Sequence, residues 1–147
     1  MIIHSLKLSL LEQDLNELIR KHMPADQPIE DLKIQLSPQG LVITGVYPMF
    51  INVRFETQWS LGLEAGKITA KLDQLKAMGV PGNIFKSAIS KMIEDVAKSE
   101  EWIQFQGDQL IVDLDAGLAK YAFVTKTNFK VLECRPGLIY LEGNEFV

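Results

Sequence analysis

Asp113 and Asp115 are the side chains of this sequence best suited to acid–base or metal chemistry. Carboxylates two residues apart on a β-strand face the same side, where they can share a proton or a divalent cation. An aspartate at position 115 equally suits the N-cap of a following helix, because its side chain accepts a hydrogen bond from a free backbone N–H. We interpret the pair as structural and keep an enzyme with a divalent ion as the third of the functions considered below.

The two histidines and the single cysteine do not form a recognisable site. His4 and His22 lie far apart in sequence, and the negative end of a helix dipole explains a histidine at position 22. Cys134 on a predicted strand is typical of a small buried hydrophobe. The sequence has no nucleophile elbow, phosphate loop or metal-protease pattern. We therefore predict no catalytic residue, no metal site and no cofactor.

Composition and charge restrict the partners. A chain of 147 residues is expected to form one domain over 1–147. Fifteen basic residues against nineteen acidic ones give a net charge of −4, so duplex nucleic acid is not a predicted partner. The basic residues are interpreted as scattered solvated charge, with a patch for anionic headgroups as the alternative: Arg54, Lys67, Lys71, Lys86, Lys91 and Lys98. The polar start and the absence of a long apolar run predict a cytoplasmic protein.

Two helices with one apolar face each are expected. Alternation over 4–10 predicts a half-buried strand, and Ser9 and Glu12 have the spacing of a capping box for a helix over 10–22. Leu11 and Leu15 begin the apolar stripe of that helix. A second helix is predicted over 83–98, with Asn83 as its N-cap.

The strands form the larger part of the prediction. The most regular pattern runs over 51–64, where Val53, Phe55 and Trp59 belong to one apolar side. Hairpins are expected at the turns 37–40, 64–66 and 135–137. Further elements are predicted as a strand over 109–113, a helical turn over 115–120 and strands over 128–134 and 138–141.

The length of the pattern at 51–64 indicates a bent sheet. Fourteen residues span about 46 Å as a straight strand, whereas a compact chain of this size is only about 38 Å across. A kink at Gly62 or in the 45–48 region would shorten the strand. We therefore predict an α+β fold in which a highly curved antiparallel β-sheet, a meander of long strands, wraps around a long α-helix, with a second N-terminal helix.

The order of elements resembles that of bacterial LmeA-like phospholipid-binding proteins, which look like single-unit relatives of the tubular lipid-binding (TULIP) superfamily. The resemblance rests on LSLLEQDLN at 8–16, IEDLKIQL at 29–36, GLVITG at 40–45, GKITAKL at 66–72, the helix at 83–98 and VDLD at 112–115. It implies an apolar groove for acyl chains and no catalytic residues. Relatives of this kind are usually exported or membrane-anchored, whereas the polar start of this chain does not fit the pattern expected of a signal peptide.

The sequence leaves two non-enzymatic functions open. The first is binding of a lipid or other apolar ligand in a groove between sheet and helix. The lining residues follow from the apolar faces: Leu11, Leu15, Phe55, Trp59, Ile89 and Met92. The second is a protein-interaction or assembly module with a filled core, in which the exposed apolar face of the helix at 83–98 meets a partner or forms a homodimer.

Overall fold

Two antiparallel sheets and three helices make up the part of the chain that the computed structural model describes, which is residues 3–22, 29–48, 51–79, 82–98, 100–119 and 129–146. The helices are α1 Glu12–His22, α2 Gly82–Lys98 and α3 Leu114–Ala119. The strands are β1 Ile3–Leu11, β2 Glu30–Ser37, β3 Gly40–Pro48, β4 Asn52–Glu64, β5 Lys67–Ala77, β6 Ile103–Gln106, β7 Gln109–Val112, β8 Phe129–Arg135 and β9 Leu138–Phe146. The predicted α+β class dominated by antiparallel strands is confirmed.

The strands are divided between a six-stranded sheet and a three-stranded sheet. The larger sheet has the order β2-β3-β4-β5-β7-β6, and the smaller has the order β1-β9-β8. The turns predicted at 37–40, 64–66 and 135–137 each connect a hairpin. Two features were not predicted. Strand β6 forms an additional hairpin with β7, and β1 pairs with β9 from the other end of the described chain.

Strand β4 shows why alternation specifies a strand with one buried face. Val53, Phe55, Thr57 and Trp59 point inward and are buried, whereas the residues between them are exposed or half-buried. This confirms the predicted strand, with Asn52–Glu64 as its bounds. Ile51 was predicted to continue the inner face, but it lies outside the strand and is 61% exposed.

A bulge in β5 lets the inner face continue past an irregular residue. Pairing passes from Gln58 opposite Gln74 to Trp59 opposite Leu72, so Asp73 is the extra residue of β5. The extra residue changes the phase of the alternation, which keeps both halves of β5 on the same apolar side. Pairing is regular at Gly62, so the irregularity lies at Asp73 and not at this predicted kink.

Gly45, the other predicted kink, also lies in regular pairing, opposite Phe55. A Cβ atom at Gly45 would lie 2.9 Å from Cζ of Phe55 and 2.9 Å from Cγ2 of Ile29, closer than two such atoms can approach. The glycine therefore allows neighbouring side chains to pack directly against the backbone.

Helix α1 begins later than predicted. Strand β1 extends through Leu11, with Ser9 paired opposite Tyr140, so Ser9 is a strand residue and the predicted capping box is wrong. The backbone N–H of Glu12, the first helical residue, instead donates to the carbonyl of Gly137 at 2.9 Å. The helix thus starts where the β8–β9 turn offers an acceptor.

Side chains of α1 close the free edge of β2. The Asn16 amide accepts from the N–H of Ile34 at 2.7 Å and donates to its carbonyl at 3.2 Å. The Glu12 carboxylate accepts from the N–H of Leu36 at 2.9 Å, and Gly137 donates its N–H to the Leu36 carbonyl at 3.1 Å. The N–H and carbonyl groups of Ile34 and Leu36, which point away from β3, therefore all have hydrogen-bond partners.

The buried apolar residues that the structure describes form three clusters. The first joins both sheets and α1 and contains Ile34, Leu36, Ile68, Phe129, Ile139 and Leu141. The second lies between α2 and the sheet and contains Ile29, Val53, Phe55, Phe85 and Ile89. The third contains Trp59, Ala70 and Leu72. Among the described residues, no helix has both the length and the hydropathy that crossing a membrane requires.

Candidate functional site

Among the predicted lining residues whose side chains are described, Phe55 and Ile89 belong to the same cluster. Phe55 is 5% exposed and Ile89 is 3% exposed, and both pack in the second cluster between β4 and α2. The ring of Phe85 lies 5.3 Å from that of Phe55, and the ring of Tyr47 lies 5.9 Å from Phe85 in an edge-to-face arrangement. Aromatic packing of this kind positions α2 on the inner face of the sheet.

Trp59 lies further along the same face of β4, in the third cluster, and is 4% exposed. Its indole N–H donates to the hydroxyl of Thr57 at 2.8 Å, and that hydroxyl in turn donates to the carbonyl of Ile43 at 3.3 Å. Ile43 and Ile93 pack against both the second and the third cluster. The polar groups of Trp59 and Thr57 thus satisfy one another inside a continuous apolar interior.

The remaining predicted lining residues lie elsewhere or are not described. Leu15 packs against the first cluster, and Leu11, the last residue of β1, is 46% exposed. The structure therefore separates these two from Phe55, Trp59 and Ile89. Met92 belongs to α2, but its side chain lies outside the described part of the structure.

The aspartate pair has a structural role as a helix cap, but the capping residue is Asp113 and not Asp115. Strand β7 ends at Val112, and Oδ1 of Asp113 accepts from the N–H of Asp115 at 3.1 Å and of Ala116 at 3.3 Å. Asp113 is thus the N-cap of α3, and the prediction that Asp115 is the cap is wrong. No group of three or more His, Cys, Asp and Glu side chains among the described residues could hold a metal ion.

Cys134 is half-buried in β8, and its partial burial raises the pKa of the thiol because the thiolate loses solvation. A raised pKa lowers the fraction of reactive thiolate, in agreement with the prediction of an apolar role. His4 is exposed on β1. His22 is the last residue of α1, which confirms its predicted position at the C-terminus of the helix, and its side chain lies outside the described part of the structure.

A cleft that the sequence did not indicate lies between the end of α1 and the start of β2. It has a volume of about 370 Å³ and is lined by Arg20, Ile29, Asp31 and Leu32. Asp31 has a left-handed backbone with φ of 53°, beside a bulge in the pairing of β2 with β3. Ile29 is a member of the second cluster and Leu32 packs against it. The cleft therefore has a charged rim and borders on the cluster that contains Phe55.

Two of the basic residues considered as a headgroup patch, Arg54 and Lys67, lie far apart. Arg54 is near the first residue of β4, whereas Lys67 pairs with Glu64 at the last residue of that strand. Ten residues of β-strand separate their positions on the hairpin, which is about 33 Å. These two positions therefore do not form one patch, in agreement with the interpretation of the basic residues as scattered charge.

Comparison of the chain with protein-family models, curated proteins and solved structures finds no match. Function is accordingly argued from the cleft and the apolar interior of this chain.

Proposed function

We propose that the protein binds a lipid or another ligand with an apolar chain and catalyses no reaction on it. The observation that carries the proposal is the cleft at the start of β2. Two of the four described residues that line it, Ile29 and Leu32, pack in or against the cluster that contains Phe55 and Ile89. A volume of about 370 Å³ lies within the range of ligand pockets.

The rim and the interior offer different chemistry to such a ligand. Arg20 supplies a cation for an anionic headgroup, and Ile29 supplies the apolar surface on which the chain would continue. From Val53 to Trp59, the buried face of β4 extends for about 20 Å, which suits a long acyl chain. Because Thr57 and Trp59 satisfy each other, neither presents a free polar group to the chain.

In this proposal the six-stranded sheet curves around α2, and α2 moves away from the sheet to admit the chain. The resemblance to LmeA-like proteins supports the same architecture. The cytoplasm is the compartment we propose, and cell fractionation tests it.

Tryptophan fluorescence tests whether a chain reaches the interior. Two single-tryptophan variants, Trp102→Phe and Trp59→Phe, are titrated with a fatty acid brominated along its chain, because bromine quenches nearby indoles. We expect quenching of Trp59 in the first variant and none of Trp102 in the second. Trp102 is a suitable control because it packs on Gly117 of α3, one helical turn after the N-cap Asp113. Equal quenching of both indoles, or quenching of neither, would contradict the proposal.

A charge variant tests the headgroup position. Arg20→Gln should weaken binding of the fatty-acid anion by about fivefold, the value of one exposed ion pair of roughly 1 kcal/mol. Lys21→Gln removes a cation that is also exposed, from the next position of α1 and outside the lining of the cleft, and should leave binding unchanged. The same loss in both variants would show that the headgroup does not lie beside Arg20.

A filled core with an interaction function is the second candidate. The near-complete burial of Phe55, Trp59 and Ile89 favours this candidate, because packing of side chains against one another explains that burial without a ligand. On α2 the described residues Phe85, Ile89 and Ala97 are buried, so an interaction face would use other positions of the helix. Absence of quenching together with a concentration-dependent dimer in sedimentation would favour this second function.

A further inference from the structure

The bulge in β2 brings a carboxylate and an apolar side chain to the same cleft. Two adjacent residues of β2, Asp31 and Leu32, correspond to a single residue of β3, Gly45. Neighbouring side chains of a regular strand point to opposite faces, whereas here both line the cleft. The left-handed φ of 53° at Asp31 is a bulge conformation that glycine adopts most readily. The bulge therefore presents a carboxylate directly beside apolar surface, at a position where the backbone itself requires no side chain.

A cation lines the same cleft from another element. Arg20 belongs to the last turn of α1, whereas Asp31 belongs to β2. Both side chains are exposed, and neither forms an ion pair with a described residue, so each keeps its charge for a ligand. The described lining thus consists of one cation, one anion and two aliphatic side chains, those of Ile29 and Leu32.

We propose that the cleft selects an amphiphile with a zwitterionic head, which carries an anion and an ammonium group at the end of one apolar chain. This inference rests on the proposed ligand binding and names the class of ligand. The anion of the head pairs with Arg20 and the ammonium group with Asp31. The chain begins on the aliphatic surface of Ile29 and Leu32, which borders on the second cluster.

The two opposite charges disfavour a head of a single sign. An anionic head attracted by Arg20 is repelled by Asp31, and a cationic head attracted by Asp31 is repelled by Arg20. A zwitterionic head makes both favourable contacts and meets neither repulsion. Since one exposed ion pair changes an affinity by about fivefold, the zwitterion should bind at least about fivefold more tightly than either singly charged analogue.

Isothermal titration calorimetry with single-chain probes, below their micelle concentrations, tests this selectivity. Dodecylphosphocholine carries both charges, dodecyl methyl phosphate carries the same phosphodiester anion alone, and dodecyltrimethylammonium carries the cation alone. We expect dodecylphosphocholine to have the lowest Kd for the wild type. Glycerophosphocholine has the same head without the chain and should bind at least about tenfold more weakly than dodecylphosphocholine, because it buries no apolar surface.

Charge variants assign the two contacts. Asp31→Asn keeps a residue that tolerates a left-handed backbone, and should weaken binding of dodecylphosphocholine by about fivefold without weakening that of dodecyl methyl phosphate. Glu30→Gln is the matched control, since it removes the same charge from the preceding exposed residue, outside the described lining, and should keep the wild-type ratio of the two Kd values. Arg20→Gln should remove the preference over dodecyltrimethylammonium.

Asp31→Gly separates binding from folding. Glycine adopts the left-handed conformation freely, so this variant should have a thermal midpoint no lower than that of the wild type. It should nevertheless lose the preference for dodecylphosphocholine over dodecyl methyl phosphate, as Asp31→Asn does.

The possible failures distinguish this inference from the proposed function. If a singly charged probe binds the wild type as tightly as dodecylphosphocholine, the zwitterionic head is refuted and ligand binding stands. An equal loss in Glu30→Gln and Asp31→Asn would also refute it, because Asp31 would then not contact the head. Equal binding of glycerophosphocholine and dodecylphosphocholine would contradict a ligand with an apolar chain. Binding of none of the four probes would overturn both proposals.

Discussion

The substitution Asn16→Ala should destabilise the protein through the edge of β2 and not through α1 itself. In the wild type the Asn16 amide makes three hydrogen bonds, two with the backbone of Ile34 and one, at 2.9 Å, with the carbonyl of Glu12. Alanine removes all three and leaves the N–H and carbonyl of Ile34 without their partner.

The magnitude follows from these bonds. Three hydrogen bonds at a net value of about 0.5–1.5 kcal/mol each, in a half-buried setting, give a loss of about 2.5 kcal/mol. Because alanine is a better helix former than asparagine, the substitution also stabilises the helix by about 0.6 kcal/mol. We therefore expect the free energy of unfolding to fall by about 2 kcal/mol, which lowers the urea midpoint by about 1 M at a slope of about 2 kcal/mol per molar.

Urea unfolding monitored by circular dichroism measures this change, with Glu17→Ala as the control on the exposed side of the same helix. Amide hydrogen exchange at Ile34 provides the local measurement and should become faster in Asn16→Ala. Asn16→Asp keeps an acceptor for the Ile34 N–H but loses the donor to its carbonyl, so its stability should be intermediate. If Asn16→Ala and Glu17→Ala unfold within about 0.5 kcal/mol of each other, the side chain does not hold this edge and the reasoning is wrong.

Three further predictions concern other polar groups. Thr57→Val should cost about 1–3 kcal/mol of stability in chemical unfolding, because the buried indole N–H of Trp59 loses its acceptor; an unchanged urea midpoint would show that this bond contributes nothing. Asp113→Ala should cost about 1 kcal/mol through loss of the α3 cap, whereas Asp113→Asn should retain most of the stability; equal losses in the two variants would argue for a role of the carboxylate charge. The hydrogen bond from Tyr140 to Glu142, at 2.8 Å, is the main cause that raises the pKa of Tyr140 above 10.0, so its contribution to stability is present below the pKa of an unfolded tyrosine and is lost as the pH rises through the folded pKa. Ultraviolet titration should show an earlier ionisation in Glu142→Gln, and an unshifted titration curve would contradict this assignment.

Local patterns explain which parts of the fold could be predicted. The alternation along β4 and the helical spacing of 83–98 each depend on neighbours within a few residues, and both elements are present. The same kind of signal was available for β6, where Ile103 and Phe105 alternate with glutamines before a turn at Gly107. The phase change around Asp73 was likewise visible, since Leu72 and Leu75 are three residues apart.

Long-range contacts explain the errors at the start of α1 and at the candidate site. Ser9 and Glu12 fit a capping box by spacing, but the carboxylate of Glu12 is used by Leu36, 24 residues away. The sequence could not show that α1 covers the edge of β2, nor that Leu11 and Phe55 lie in different regions. The cleft at Arg20 depends on an irregular backbone at Asp31, for which the local sequence gave no signal.

The pairing of β1 with β9 has a consequence for the synthesis of the protein. Leu11 pairs with Leu138, so 138 − 11 = 127 further residues must be translated before this strand begins to find its partner. At about 5–20 residues per second the delay is roughly 6–25 s. During this time Leu6, Leu8 and Leu10, which later pack against the first cluster, lack the strand that covers their edge. An unpaired apolar strand invites association with other nascent chains. The period on the ribosome is therefore when this protein would depend most on a chaperone.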